Sequence, residues 1–444
     1  MEQSPPVRSH RARARSAHAP EAPTGGRHVN GTTPDGAGRE PSGLSRADRP
    51  RTHPSRLPVT GAWRPGDEVG DRRFLHLSAT RPFALEGGGT LHGVDIAYET
   101  WGSLAADASN AVLVCHALTG DSHAAGPSGH GHPTPGWWDD LVGPGRAIDT
   151  DRWFVVCVNV LGGCQGTTGP ASIDPATGRP HGARFPVVTM RDIVRTQAAL
   201  ADDLGIEVWA AVIGGSMGGM QALEWAVMYP RRVRSLVAIA TCMQATAQQI
   251  AWGAIGRRAI RLDPAWNGGD YYDAAPGEGP HEGLEVARMV AQVTFRSDNV
   301  FTDRFGRELA DTAKVGDTID MWQRFEVERY LEYHGTKLAR RFDTNSYLAI
   351  SKAMDLHDIA RGRGALEHAM SRLRCPVLAV GISSDMLYPS YQQRQIADTT
   401  IAVGGVADYF EIESPHGHDA FLINGDQLAG PLERFLAGAS KSDL

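Results

Sequence analysis

Long apolar runs are missing from this chain. Its 444 residues contain no stretch of about 18 consecutive apolar residues, the length that a membrane-spanning helix requires. The N-terminus also lacks the roughly 7–15-residue apolar run of a secretory leader. Membrane insertion and signal-peptide export are therefore not expected. A positive charge excess is missing too: the formal net charge is −7 and only 21% of residues are charged, so nothing pulls the chain strongly toward nucleic acid. Cysteine is sparse. Cys115, Cys157, Cys164, Cys242 and Cys375 form an odd set without a C-x-x-C pair, and two of them lie in apolar runs that read as buried strands. That usage fits a reducing cytoplasm. What is present, 41% hydrophobic residues, is enough to bury a large core.

Composition divides the chain. Residues 1–66 hold 11 Arg against 5 acidic residues, so the rest carries all of the negative excess. This stretch is mainly Pro, Gly, Ser, Ala and Arg, with few Leu or Val and no Ile or Phe, too little apolar surface to offset the entropy of folding. We expect a disordered extension whose deletion leaves activity intact. Repeated Pro and Gly would break the amphipathic helix of an organelle transit peptide, and the basic run Arg11–Arg15 is too short, and too free of aromatics, for an RNA- or DNA-binding arm.

Beyond Phe74, short apolar runs alternate with helical periodicity: Ala111–Cys115, Trp153–Asn159, Val208–Ile213, Leu236–Ala240, Val377–Ile382 and Tyr409–Glu413. Such strands, with helices between them, predict an α/β fold around a mostly parallel sheet flanked by helices. Residues 243–373 read instead as helices, including Glu285–Phe295 and Glu326–Tyr333, and form a helical insertion over the sheet. The core is then residues 67–242 and 374–444. No internal repeat is visible.

The strongest chemical signal is Gly214-Gly215-Ser216-Met217-Gly218, a G-x-S-x-G turn entered from the apolar run Val208–Ile213 and left through a helix bearing Met220, Leu223 and Val227 on one face. In such an elbow the serine hydroxyl projects above the sheet. A serine at its free pKa is a poor nucleophile, so a histidine base and an orienting acid are required, in the chain order Ser, Asp/Glu, His. Asp385 follows the strand Val377–Ile382, where α/β sites gather. His416 and His418 both follow the strand Tyr409–Glu413, and the residues alone leave the base open between them. Oxyanion donors are expected from the N–H of Met217 and, in the turn after Ala111–Cys115, the N–H of Leu118.

Three other patterns read blandly. His116 and Asp121 match H-x-x-x-x-D, but a second base there would leave Ser216 unexplained. His123, His130 and His132 lie in a Gly/Pro-rich loop whose spacing is not that of a zinc site, so no metal is expected and the loop is placed near the mouth of the site. Asn159 to Pro170 resembles a phosphate cradle but lacks the lysine and following helix of a P-loop.

Four segments together carry a family likeness: Asn159-Val-Leu-Gly-Gly-Cys-Gln-Gly-Thr-Thr-Gly-Pro170, Ile213-Gly-Gly-Ser-Met-Gly-Gly-Met-Gln221, Arg341-Phe-Asp-Thr-Asn-Ser-Tyr347 and Gly417-His-Asp-Ala-Phe-Leu422. From about Phe83 to Phe435 the chain resembles the homoserine O-acetyltransferases of the α/β-hydrolase superfamily. The resemblance implies an α/β-hydrolase fold with an inserted helical lid, Ser216 as nucleophile, Asp385 as acid and His418 rather than His416 as base. It implies Arg288 for the carboxylate of the amino-acid acceptor and Asp419 for its ammonium, a pairing that suits their charges. It further implies a ping-pong transfer from acetyl-CoA to L-homoserine for methionine biosynthesis, with no other cofactor, in a cytoplasmic homodimer paired through the lid helices. Succinyl-CoA as donor or serine as acceptor keeps the same machinery. A plain esterase, or a non-catalytic binding protein on the same shell, is the more distant alternative.

Overall fold

The computed structural model describes residues 57–129, 131–310 and 321–439. An eight-stranded sheet runs β1 (Arg73–Leu77), β2 (Val94–Trp101), β3 (Ala111–Cys115), β4 (Phe154–Val158), β5 (Ala211–Gly215), β6 (Leu236–Ile239), β7 (Val377–Ile382) and β8 (Ala407–Ile412). In space the order is β1-β2-β4-β3-β5-β6-β7-β8. Only β2 lies antiparallel to its neighbours; β3 to β8 form a parallel block.

Strands β3 to β7 are buried along their whole length, which is why they read as unbroken apolar runs. Alternate residues feed two cores. Leu113, Val156 and Val212 face a layer containing Ile193 and Leu223, from α1 (Met190–Asp203) and α2 (Met217–Met228). Val112, Val155 and Ile213 face Trp138, Phe421 and Leu432 on the other side. The run at Val208–Ile213 begins earlier than the strand: Trp209 makes only an isolated bridge to Val233, and regular pairing starts at Ala211. Strands β1 and β2 have no counterpart among the apolar runs. Of the two, β1 is the edge strand and half covered, and β2, paired on both sides, is interrupted by Asp95, Glu99 and Thr100.

Between β6 and β7 the chain builds helices α3 (Ala247–Leu262), α4 (His281–Phe295), α5 (Asp298–Phe305), α6 (Glu326–Ala339) and α7 (Thr344–Asp355). Capping sets where they begin: Thr246 and Gln249 close a capping box on α3, and the Asp343 carboxylate accepts from the Ser346 N–H to start α7. Helix α4 packs on both α3 and α6. Two further helices, α8 (Ser390–Ala402) and α9 (Gly425–Ala439), flank β7 and β8.

The expected extension 1–66 lies outside the described residues up to residue 56, but its last part contradicts the expectation of disorder. Leu57, Thr60 and Ala62 are buried. The Thr60 hydroxyl donates to Asp343 at 2.8 Å, Trp63 N–H to Cys164 O at 2.9 Å, and Gly61 N–H to Phe342 O at 3.3 Å. A Cβ on Gly61 would stand 2.2 Å from Phe342 N, so glycine is required for this approach. The segment 57–63 is a strap. The partners Cys164, Phe342 and Asp343 lie far along the chain, so its own composition carries no sign of them.

Candidate active site

Ser216 stands between the last residue of β5 and the first of α2 with φ 57° and ψ −122°, a strained conformation for a residue with a Cβ. Gly218 lets the elbow close: a Cβ there would lie 2.1 Å from Cys115 O at the end of β3. The turn aims the Ser216 hydroxyl at a histidine rather than at the helix N-terminus, and no side-chain cap forms.

His418 Nε2 lies 2.8 Å from Ser216 Oγ, and His418 Nδ1 lies 2.6 Å from Asp385 Oδ2. The other oxygen of Asp385 accepts from Leu387 N–H at 2.8 Å and Tyr388 N–H at 2.9 Å. A carboxylate fixed in this way accepts the Nδ1–H of the imidazole, leaving Nε2 to accept from the serine hydroxyl. All three side chains are buried. Burial pulls the His418 pKa down, but the Asp385 charge and hydrogen bond, with the Asp419 charge beyond, outweigh it and hold the value above that of an ordinary histidine. The rings of Phe295, Tyr388 and Phe421 surround the imidazole at 5.1 to 5.6 Å. His416, the other candidate base, has a backbone N–H bonded to Ser414 Oγ and stands outside this chain of hydrogen bonds.

Leu118 and Ser216 line one pocket, with Trp252, Ala287, Phe295 and Tyr388 among its walls. Among the described residues neither the Leu118 N–H nor the Met217 N–H has an acceptor, so both donors are available to an oxygen on an acyl carbon at Ser216.

Arg288 lies on α4 and meets no carboxylate at ion-pair distance among the described residues. It stacks on Phe295 at 5.3 Å, and with the Gln292 side-chain amide turned so that its nitrogen donates to the Tyr330 hydroxyl, the amide oxygen accepts from Nη2 at 2.8 Å and from Nε at 3.2 Å. Burial pushes its pKa down, and the Asp419 charge pulls against that. Asp419 is already paired, with Arg296 at 3.1 Å. Sequence reasoning missed Arg296, which follows the end of α4 in extended conformation.

The bland patterns resolve structurally. His116 is buried; its Nδ1 meets Ala117 O at 2.8 Å and its Nε2 accepts from Val160 N–H at 3.1 Å. The segment after Asn159 closes on itself, Asn159 Oδ1 accepting from Gln165 N–H at 3.2 Å and Thr167 Oγ1 donating to Asn159 O at 2.6 Å. It is a brace for His116, not a cradle. His130 lies outside the described residues. His123 and His132 are not at the mouth of the site but buried beside Glu99, with His123 Nδ1 2.8 Å from its carboxylate. Their rings are stacked, 3.8 Å apart and 8° from parallel. One ligand atom from each of Glu99, His123 and His132 lies within 4.8 Å of the other two, a buried grouping that the spacing in the sequence did not suggest. All five cysteines are free and buried.

The sheet order, the serine elbow after β5 and the lid inserted after β6 define an α/β-hydrolase-fold protein, and a family model for that fold matches residues 110–424. Homoserine O-acetyltransferase from Thermobifida fusca (strain YX) is 54% identical over 86% of this chain and 98% of that protein, and the one from Clavibacter michiganensis is 51% identical over 86% and 96%. The chain belongs to the homoserine O-acetyltransferase family. Among solved structures, homoserine O-acetyltransferase from Bacillus anthracis superposes with a TM-score of 0.76 at 33% identity, covering 82% of this chain and 97% of that one. Esterase E22 superposes with a TM-score of 0.75 at 31% identity, covering 82% and 99%.

Proposed function

We propose that this protein transfers the acetyl group of acetyl-CoA to the side-chain hydroxyl of L-homoserine through an acetyl-Ser216 intermediate, giving O-acetyl-L-homoserine for methionine biosynthesis. The observation that carries the reading is the unbroken chain Ser216–His418–Asp385 in a member of a family whose named relatives are homoserine acetyltransferases. His418 Nε2 takes the Ser216 proton while Oγ attacks the thioester carbonyl. The oxyanion is held by the N–H groups of Leu118 and Met217; the C–S bond then breaks and the proton passes to the departing thiolate. Homoserine enters, His418 deprotonates its hydroxyl, and attack on the acetyl ester releases Ser216, which regains the proton. Arg288 binds the acceptor carboxylate and Asp419 its ammonium. The chain's own groups supply each of these steps, with acetyl-CoA as co-substrate.

Anionic substrates suit the lid side of the site. His334 on α6 is pushed down to about 4 by burial and by the charges of Arg288, Lys337, Arg296 and Arg304. Ile255, Leu262, Val286 and Val293 stand exposed on α3 and α4, and this apolar face supports a homodimer paired through the lid. No described helix is long and apolar enough to cross a membrane, and five free cysteines suit a reducing cytoplasm.

The likeness to an esterase favours one rival, with water as the acceptor. Thiol release from acetyl-CoA and succinyl-CoA, measured with homoserine, with serine and without acceptor, tests the reading. Homoserine-dependent release from acetyl-CoA that disappears in Ser216→Ala is the expected result. Release that ignores the acceptor points to hydrolysis, and release only from succinyl-CoA or only with serine renames the substrates.

A further inference from the structure

Arg341 sits in the turn between α6 and α7, and its Nη1 donates to Thr119 O at 2.8 Å across 222 residues of chain. No carboxylate lies at ion-pair distance from it among the described residues, so its charge acts on that carbonyl without a counter-ion. Thr119 C=O and Gly120 N–H belong to one planar peptide, and Gly120 N–H donates to Ala117 O at 2.9 Å. Ala117 C=O and Leu118 N–H belong to the next, and Leu118 N–H is the donor assigned to the oxyanion. Two rigid peptides coupled by one turn hydrogen bond thus connect the Arg341 guanidinium to the site. His116 adds a second donor: its Nδ1 lies 2.8 Å from Ala117 O, its Nε2 accepts from Val160 N–H, and burial lowers its pKa, so the ring is neutral with the proton on Nδ1.

Arg341 is itself held from behind. Gln165 Nε2 donates to Arg341 O at 2.8 Å and to Gly61 O at 3.1 Å, and Gly61 N–H bonds to Phe342 O. Asp343 then anchors the turn through the hydroxyls of Thr60 and Tyr271 at 2.8 and 2.6 Å. We infer that Arg341 is a positioning residue for the oxyanion hole, acting through the peptides 119–120 and 117–118, and that the strap 57–63 sets its place. Each donor in such a chain polarises the next, so the relay both aims and strengthens the Leu118 N–H. This rests on the acyl-serine reading above.

The test compares wild type with Arg341→Gln and Arg341→Lys in the full-length protein, using acetyl-CoA with homoserine and, separately, p-nitrophenyl acetate, whose cleavage needs the oxyanion hole but no acceptor. Arg341→Gln is expected to lower kcat/KM by about 10- to 100-fold, by the same factor for both acyl donors, with the KM for homoserine unchanged. It weakens a boronic acid inhibitor on Ser216 in parallel. Arg341→Lys, which keeps one cationic donor, recovers most of the loss. Unaltered cleavage of the p-nitrophenyl ester by Arg341→Gln would overturn the inference, and a raised homoserine KM with normal ester cleavage would place Arg341 on the acceptor instead. Equal impairment in both variants with a lowered Tm would also overturn it, in favour of a purely structural role. Wild type that cleaves the ester but releases no thiol with homoserine would overturn the acetyltransferase reading while leaving this comparison intact.

Discussion

The Arg296 guanidinium lies 3.1 Å from Oδ2 of Asp419, the carboxylate that follows the histidine of the triad. In the proposed role Asp419 would meet an incoming ammonium with one cation, Arg296, already in place. Removing its charge separates the two halves of the reaction. Asp419→Asn is expected to raise the KM for homoserine by about 10- to 100-fold, the worth of one charged hydrogen bond, with thiol release in the first turnover close to wild type. Stopped-flow thiol detection with and without homoserine distinguishes the steps; a first turnover slowed as much as the steady state would contradict this assignment.

The pH profile follows from the electrostatics of His418. Its pKa is raised above the ordinary 6.5, and the base must be neutral, so kcat/KM should fall as pH drops through a midpoint above 6.5. Asp419 stabilises the imidazolium. Asp419→Asn removes that stabilisation, which lowers the pKa and moves the acid limb to lower pH. A limb that moves upward, or stays in place, refutes the coupling.

Asp385→Asn keeps the size of the side chain but loses the charge and the preference for a proton on Nδ1. We expect kcat to fall about a thousandfold or more, with folding retained and KM little altered. Steady-state kinetics beside a thermal melt measure both.

The strap should matter for stability. Thr60→Ala leaves one oxygen of the buried Asp343 carboxylate with one donor fewer and is expected to cost about 1–2 kcal/mol in urea unfolding. Deletion of residues 1–56 spares the strap and should leave turnover unchanged, whereas deletion through residue 66 should lower both stability and kcat. Equal behaviour of the two truncations would show that the strap is dispensable.

Gly218→Ala places a methyl group where a Cβ lies 2.1 Å from Cys115 O. Neither backbone can retreat without moving β3 or the elbow, so the expected cost is about 3 kcal/mol or more, together with loss of turnover. A folded variant with normal kinetics would show that the elbow is softer than its packing implies.

Much of this molecule is decided locally. The strands that carry the site, β3, β5 and β7, are buried on both faces and so read directly as apolar runs. The elbow at Ser216 was legible because a strand, two essential glycines and a helix must follow one another within a dozen residues. The acid and base candidates were legible because each sits just beyond a strand. Sequence order could not choose between His416 and His418; that took either the family motif or the fold, which brings a residue 202 positions from Ser216 to within 2.8 Å of its hydroxyl.

What only the tertiary structure decided are the contacts whose two partners carry no shared local pattern. The edge strand β1 was missed because a half-covered strand admits polar residues, and β2 beside it because Asp95, Glu99 and Thr100 break its apolar run. Arg296 was invisible as a partner of Asp419, and Arg341 as a partner of Thr119, because an ion pair or hydrogen bond leaves no periodicity in either segment. Residues 57–63 were assigned to a loose extension by composition alone, yet burial there is supplied by Cys164, Phe342 and Asp343. A segment's own residues determine whether it can fold by itself, but whether it is held depends on surface presented from elsewhere, and that exists only once the rest of the chain has folded.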